Sequence, residues 1–176
     1  TRLPLTNIER WIESNGVTLL PGVIAEDDPA DAQGLGITDG RSVRIVSADS
    51  GHPVTESLNP LATPVLMREA RALDLGGPGR VALDIDSLIR TSTRYTWLTP
   101  SSGPLSPRET PPSDSPDRRS FVAGVAVTRA QAAGTGTSRL VVLGDSDFLT
   151  DTMMAIPLFR EGGERLLRGA AVKIPS

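Results

Sequence analysis

The apolar run Leu140-Val141-Val142-Leu143 leads directly into Gly144-Asp145-Ser146-Asp147. Two carboxylates around a hydroxyl at the end of a strand can hold a ligand or a hard cation. In open α/β sheets, ligands bind at the carboxyl ends of the strands. Gly144 lets the backbone turn sharply there. The competing role is structural: Asp145 and Asp147 accept backbone N–H groups of the turn that follows. Capping is the commoner use of such residues.

Gly144-Asp145-Ser146 also resembles the nucleophile block of GDS-type esterases. That chemistry needs a later Asp-x-x-His, and the only histidine, His52, lies upstream. A serine without a base is a weak nucleophile, so no catalytic residue is expected. Asp84-Ile85-Asp86, after Val81-Ala82-Leu83, is similar to the strand-plus-DxD of aspartyl phosphotransferases. Leu88 stands where that pattern wants Thr or Val. Carboxylates at i and i+2 share a strand face and repel without a cation. His52 sits in a Gly51-His52-Pro53 break and reads as a turn histidine. Asp145, Ser146, Asp147 and His52 are therefore the candidates for ligand or partner binding. With no cysteine and one imidazole, thiolate and His-based metal sites are excluded. No metal or cofactor is expected.

These residues need elements to hold them. Thr6-Asn7-Ile8-Glu9 fits a capping box. The helix it opens puts Leu5, Ile8 and Ile12 on one face with Trp11 beside them, and Gly16 ends it. Strands are expected at 17–20, 42–48, 65–67, 80–83 and 121–128, with Leu88 to Ser92 as a further strand end. Leu140 to Leu143 is continuously apolar and reads as a central strand covered on both faces. Residues 26–39 read as an acidic, Gly-rich loop. Gly162 to Val172 reads as a closing helix. Trp11 and Trp97 read as core or rim packing.

Residues 100–117 hold six prolines and five serines. Such a stretch buries too little apolar surface to offset its ordering entropy and reads as an exposed or disordered loop. The 176 residues are expected to form a single α/β domain, a fragment of a larger protein. The net charge of −3 carries no basic excess, so nucleic acid is not an expected partner. No apolar run reaches the ~18 residues of a membrane span. The chain opens on Thr1 rather than Met, which predicts a processed or excised piece of a larger protein.

Four blocks in order resemble one family: Leu5 to Leu20; His52-Pro53-Val54-Thr55; Leu88-Ile89-Arg90-Thr91-Ser92 followed by Trp97; and Arg139 to Asp151. The chain resembles the auxiliary domain of ABC-type transport systems of the gliding-motility type. That family is related to the intraflagellar-transport-like and glutamine-amidotransferase-like superfamily. A closing helix with a leucine pair, as in Glu164 to Ala171, belongs to the same pattern. The resemblance implies an α/β fold, flavodoxin-like or glutamine-amidotransferase-like, with a partly parallel sheet flanked by helices. The resemblance implies a further strand and helix expected ahead of Thr1. It implies no catalytic apparatus, a place on the extracytoplasmic side of the membrane, and membrane-embedded ABC transporter subunits as partners, with a homo-oligomer as a further expectation. The role it implies is binding of substrate or partner beside the channel. Two other readings compete: a sugar- or nucleotide-binding domain at the Gly144–Asp147 edge, and a metal-dependent hydrolase using Asp84, Asp86, Asp145 and Asp147. The hydrolase requires those four carboxylates to converge.

Overall fold

The computed structural model describes residues 6–34, 39–49, 51–60, 65–76, 83–100, 105, 107–130 and 136–145. Helix α1 (Asn7–Ser14) starts at the capping box: Thr6 Oγ1 accepts the Glu9 N–H at 3.2 Å, and Glu9 Oε2 accepts the Thr6 N–H at 2.8 Å. Gly16 then takes φ +78°, a left-handed conformation open to glycine, and β1 (Thr18–Leu19) follows. The chain continues through β2 (Val23–Glu26), α2 (Pro29–Gly34), β3 (Ser42–Ala48), β4 (Val65–Arg68), β5 (Leu73–Asp74), β6 (Leu83–Thr91), β7 (Thr96–Thr99), β8 (Val122–Ala130) and β9 (Thr137–Leu143). The closing helix expected at 162–172 lies outside the described residues.

The main sheet runs β1-β5-β8-β6-β3-β4, with β9 also paired to β8, and β2 with β7 forms a separate ribbon. Every one of these pairings is antiparallel. This overturns the expected α/β architecture, whether flavodoxin-like or glutamine-amidotransferase-like, with its partly parallel sheet flanked by helices. The reason lies in the connections. A parallel pair needs a crossover of about a dozen residues or more, usually a helix. Of the strands that pair, β8 reaches β9 through only residues 131–136. Helix α2 joins β2 to β3, which lie in different sheets. The helix–Gly–strand joint at Gly16 is real but local, and it carries no parallel crossover with it.

Strand β8 is the centre. Its residues Val122 to Val127 are buried on both faces, and its side chains alternate between two cores. Ala123 and Ala126 pack with Ile24, Val43, Ile45 and Leu88. Val122, Val125 and Val127 pack with Val17, Leu73 and Val142. The β2–β7 ribbon lays Ile24 and Leu98 on the first core, and α1 lays Ile12 on the second. The stretch Leu140 to Leu143, expected at the centre, belongs to β9, which pairs only with β8 among the described residues. Val142 is buried there, while Val141 and Leu143 are 44% and 40% exposed. A continuous apolar run matches a two-sided strand, but it does not say which strand the two cores sandwich.

Candidate functional site

Gly144 and Asp145 end β9 against the segment between β4 and β5. The Arg71 N–H donates to Gly144 O at 2.8 Å, and the Gly144 N–H donates to Ala123 O at 2.9 Å. A Cβ on Gly144 would stand 2.0 Å from Arg71 O. Gly144 does not have a positive φ. Glycine is needed at this position for a close backbone approach, not for a left-handed turn. Asp145 Oδ2 accepts the Arg68 N–H at 2.7 Å. The sharpest motif in the sequence thus docks β9 onto residues 68–71. Ser146 and Asp147 lie outside the described residues.

His52 sits in the turn after β3, where its Nδ1 accepts the Val54 N–H at 3.1 Å. Asp84 and Asp86 lie on β6, opposite Thr128 and Ala126. Ala126 is level with Val141, four residues before Asp145, a distance on the order of 13 Å along a strand. Asp84 and Asp86 are therefore not brought together with Asp145.

A different set of carboxylates does meet. Glu26 ends β2. Asp28 turns the chain into α2, with its Oδ1 accepting the Ala30 N–H at 2.8 Å. Asp31 lies in the first turn of that helix. Arg44 on β3 reaches across to them. Its N–H donates to Glu26 Oε2 at 2.5 Å, its Nη2 lies 3.4 Å from Asp28 Oδ2, and its Nε lies 2.9 Å from Asp31 Oδ1. The last pair is close enough for an ion pair but is not aligned as a hydrogen bond. Burial pushes the Glu26 carboxyl up to about 7; the Arg44 N–H opposes the rise, and the charges of Asp31 and Asp28 add to it. Burial likewise raises Asp31. Residues 26–39 are expected as a loop; the local signal for α2 is Asp28-Pro29, a capping residue followed by proline at the first helical position.

Two surface features complete the inventory. On α1, Ile12 packs inward, whereas Ile8, expected on the same face, is 65% exposed, and Trp11, expected as core or rim packing, is 53% exposed. Between β7 and the segment 108–119 lies a cavity of about 520 Å³, lined by Trp97, Arg108, Glu109, Asp117, Arg119 and Phe121. Trp97 is buried, and its Nε1 meets no hydrogen-bond acceptor. Among the described residues no helix is long and apolar enough to cross a membrane. Comparison with protein-family models, with curated proteins and with solved structures finds no match to this chain.

Proposed function

We propose that the chain is a non-enzymatic auxiliary domain of an ABC-type transport system of the gliding-motility type, binding a membrane-embedded subunit on the extracytoplasmic side. The observation that carries the partner-binding part is the pair Ile8 and Trp11. They stand three residues apart, hence on one face of α1, and both are more than half exposed. Tryptophan is enriched at the energetic centres of interfaces, and an exposed apolar pair on one helix face suits a docking contact. The family part rests on the resemblance of the ordered blocks from Leu5 to Asp151 alone, since the antiparallel sheet is not the fold that resemblance implies. The non-catalytic part draws on His52 and Asp145, whose acceptor atoms both engage backbone N–H groups.

The test uses the chain as bait on detergent-solubilised membranes of its source, with cross-linking and mass spectrometry. The expected catch is ABC transporter membrane subunits. The double variant Ile8→Ser/Trp11→Ser loses it while melting like the wild type. An unchanged catch with the variant, or capture of its own copies alone, overturns the reading. A serine-directed fluorophosphonate leaves the chain unlabelled; stoichiometric labelling abolished by Ser146→Ala would revive the esterase.

The cavity beside Trp97 favours a second reading, a small-molecule binder. Arg108 and Arg119 on its lining suit a polar ligand with acceptor oxygens, such as a sugar acid. Quenching of Trp97 fluorescence by such ligands, lost in Arg119→Ala, would favour it over the membrane partner.

A further inference from the structure

Glu26, Asp28 and Asp31 each bring one carboxylate oxygen within 4.8 Å of the other two. Oxygens bound to one hard cation at about 2.3–2.6 Å can be no further apart than about twice that, so the spacing suits a shared ion. The charge count agrees. Among the described residues, three carboxylates facing the Arg44 guanidinium leave two negative charges when all are ionised, which one divalent cation balances. Buried charge left uncompensated is strongly unfavourable.

A second observation is independent of the clustering. Glu26 and Asp31 are each only 5% exposed, yet Glu26 Oε1 and Asp31 Oδ2 are buried without a hydrogen-bond partner. Their other oxygens face Arg44. Each side chain therefore keeps one buried oxygen that no protein donor satisfies. The scaffold is also fixed: Glu26 ends a strand paired to Thr96, and Pro29 together with the Ala30 N–H bond to Asp28 Oδ1 sets the turn that carries the two aspartates.

We propose that Glu26, Asp28 and Asp31 form a binding site for one divalent cation of the Ca²⁺ class, with water completing its oxygen shell. Three protein carboxylates fall short of the six to eight oxygens that Ca²⁺ takes, and its irregular geometry tolerates such a partial set better than the strict octahedron of Mg²⁺. Neither Ile8 nor Trp11 takes part, so this inference and the membrane-partner reading fail separately.

The test is Ca²⁺ titration of the chelator-treated chain by calorimetry, with thermal melts in parallel and Mg²⁺ as competitor. The expected result is one Ca²⁺ per chain, a dissociation constant on the order of 10⁻⁵–10⁻³ M, and a melting temperature that rises with Ca²⁺. Glu26→Gln and Asp31→Asn each weaken binding tenfold or more, while melting without Ca²⁺ at or above the wild-type temperature because a buried like charge is gone. Should Asp31→Asn fail to fold, Glu26→Gln carries the comparison, since its amide oxygen can still accept the Arg44 N–H. Absence of both heat and thermal shift in the wild type overturns the proposal. So does wild-type affinity retained by the folded variants.

Discussion

Glu9 shows how one side chain can serve two levels of structure. Its carboxylate closes the capping box of α1 and also receives Arg71, whose guanidinium holds Leu19 O and Leu20 O at 3.1–3.3 Å. The Thr6 N–H first, then Arg71, then the Thr6 hydroxyl hold Glu9 down from 4.5 to about 2. A carboxyl depressed in the folded state contributes stability above its unfolded pKa and loses it as pH falls through the folded one. Unfolding free energy of the wild type should therefore fall between pH 4.5 and 2, and Glu9→Gln should flatten that slope. Urea titrations at stepped pH measure it; equal slopes would refute it. Asp145 makes the second prediction. Asp145→Ala strands the Arg68 N–H and should cost about 1–3 kcal/mol, while Asp145→Asn keeps an acceptor oxygen and should cost less. Urea midpoints at pH 7 compare the two. The Thr6–Glu9 spacing was readable in the sequence because a capping box is local. The Arg71 and Arg68 partners were not, because they join residues 62 and 77 positions apart.

Elements with strong local patterns were legible, and weak ones were not. Helix α1, β3 and β4 lie where alternation or capping puts them, and β8 runs only slightly beyond its expected bounds. β2, α2, β5 and β7 have two to six residues each, too few for a periodicity to stand out. They owe their form to partners. β7 pairs residue by residue with β2, from Thr99↔Val23 to Thr96↔Glu26. The Pro- and Ser-rich stretch gains contacts that composition does not announce. Arg118 grips Asp27 through both carboxylate oxygens at 2.6 and 2.7 Å, lies over the Trp97 ring at 4.8 Å, and donates to Pro111 O at 2.8 Å and Pro112 O at 2.9 Å. That planar fork has no substitute in lysine. Arg118→Met and Arg118→Lys should both release residues 107–117, seen as faster cleavage in limited proteolysis than in the wild type. Equal cleavage rates would show that the segment holds without Arg118.

The whole architecture is set by which strands find each other, and no local pattern encodes that. The same apolar runs satisfy a parallel sheet covered by helices or an antiparallel sheet between two cores; between β8 and β9 the short connection decides for the second. The junction that closes this arrangement is Gly144. There the end of β9 meets residues 70–72, the stretch that also receives Leu20 and Ile24 N–H groups at 2.8 and 2.7 Å and, through Arg71, secures α1. β9, the β2–β7 ribbon and the helix therefore share one backbone segment. In Gly144→Ala the new methyl would meet Arg71 O at 2.0 Å, and backbone has no rotamer with which to yield. The sheet must shift, at about 1–3 kcal/mol for overpacking of this kind, or roughly 2–12 °C in melting temperature for a chain of this size. Because the segment is shared, the loss should be global. Helical circular dichroism and the fluorescence of Trp97, buried in the ribbon, should fall in a single transition at the lowered temperature. Two separate transitions, or a wild-type melt, would show that β9 docks independently of the ribbon and the helix.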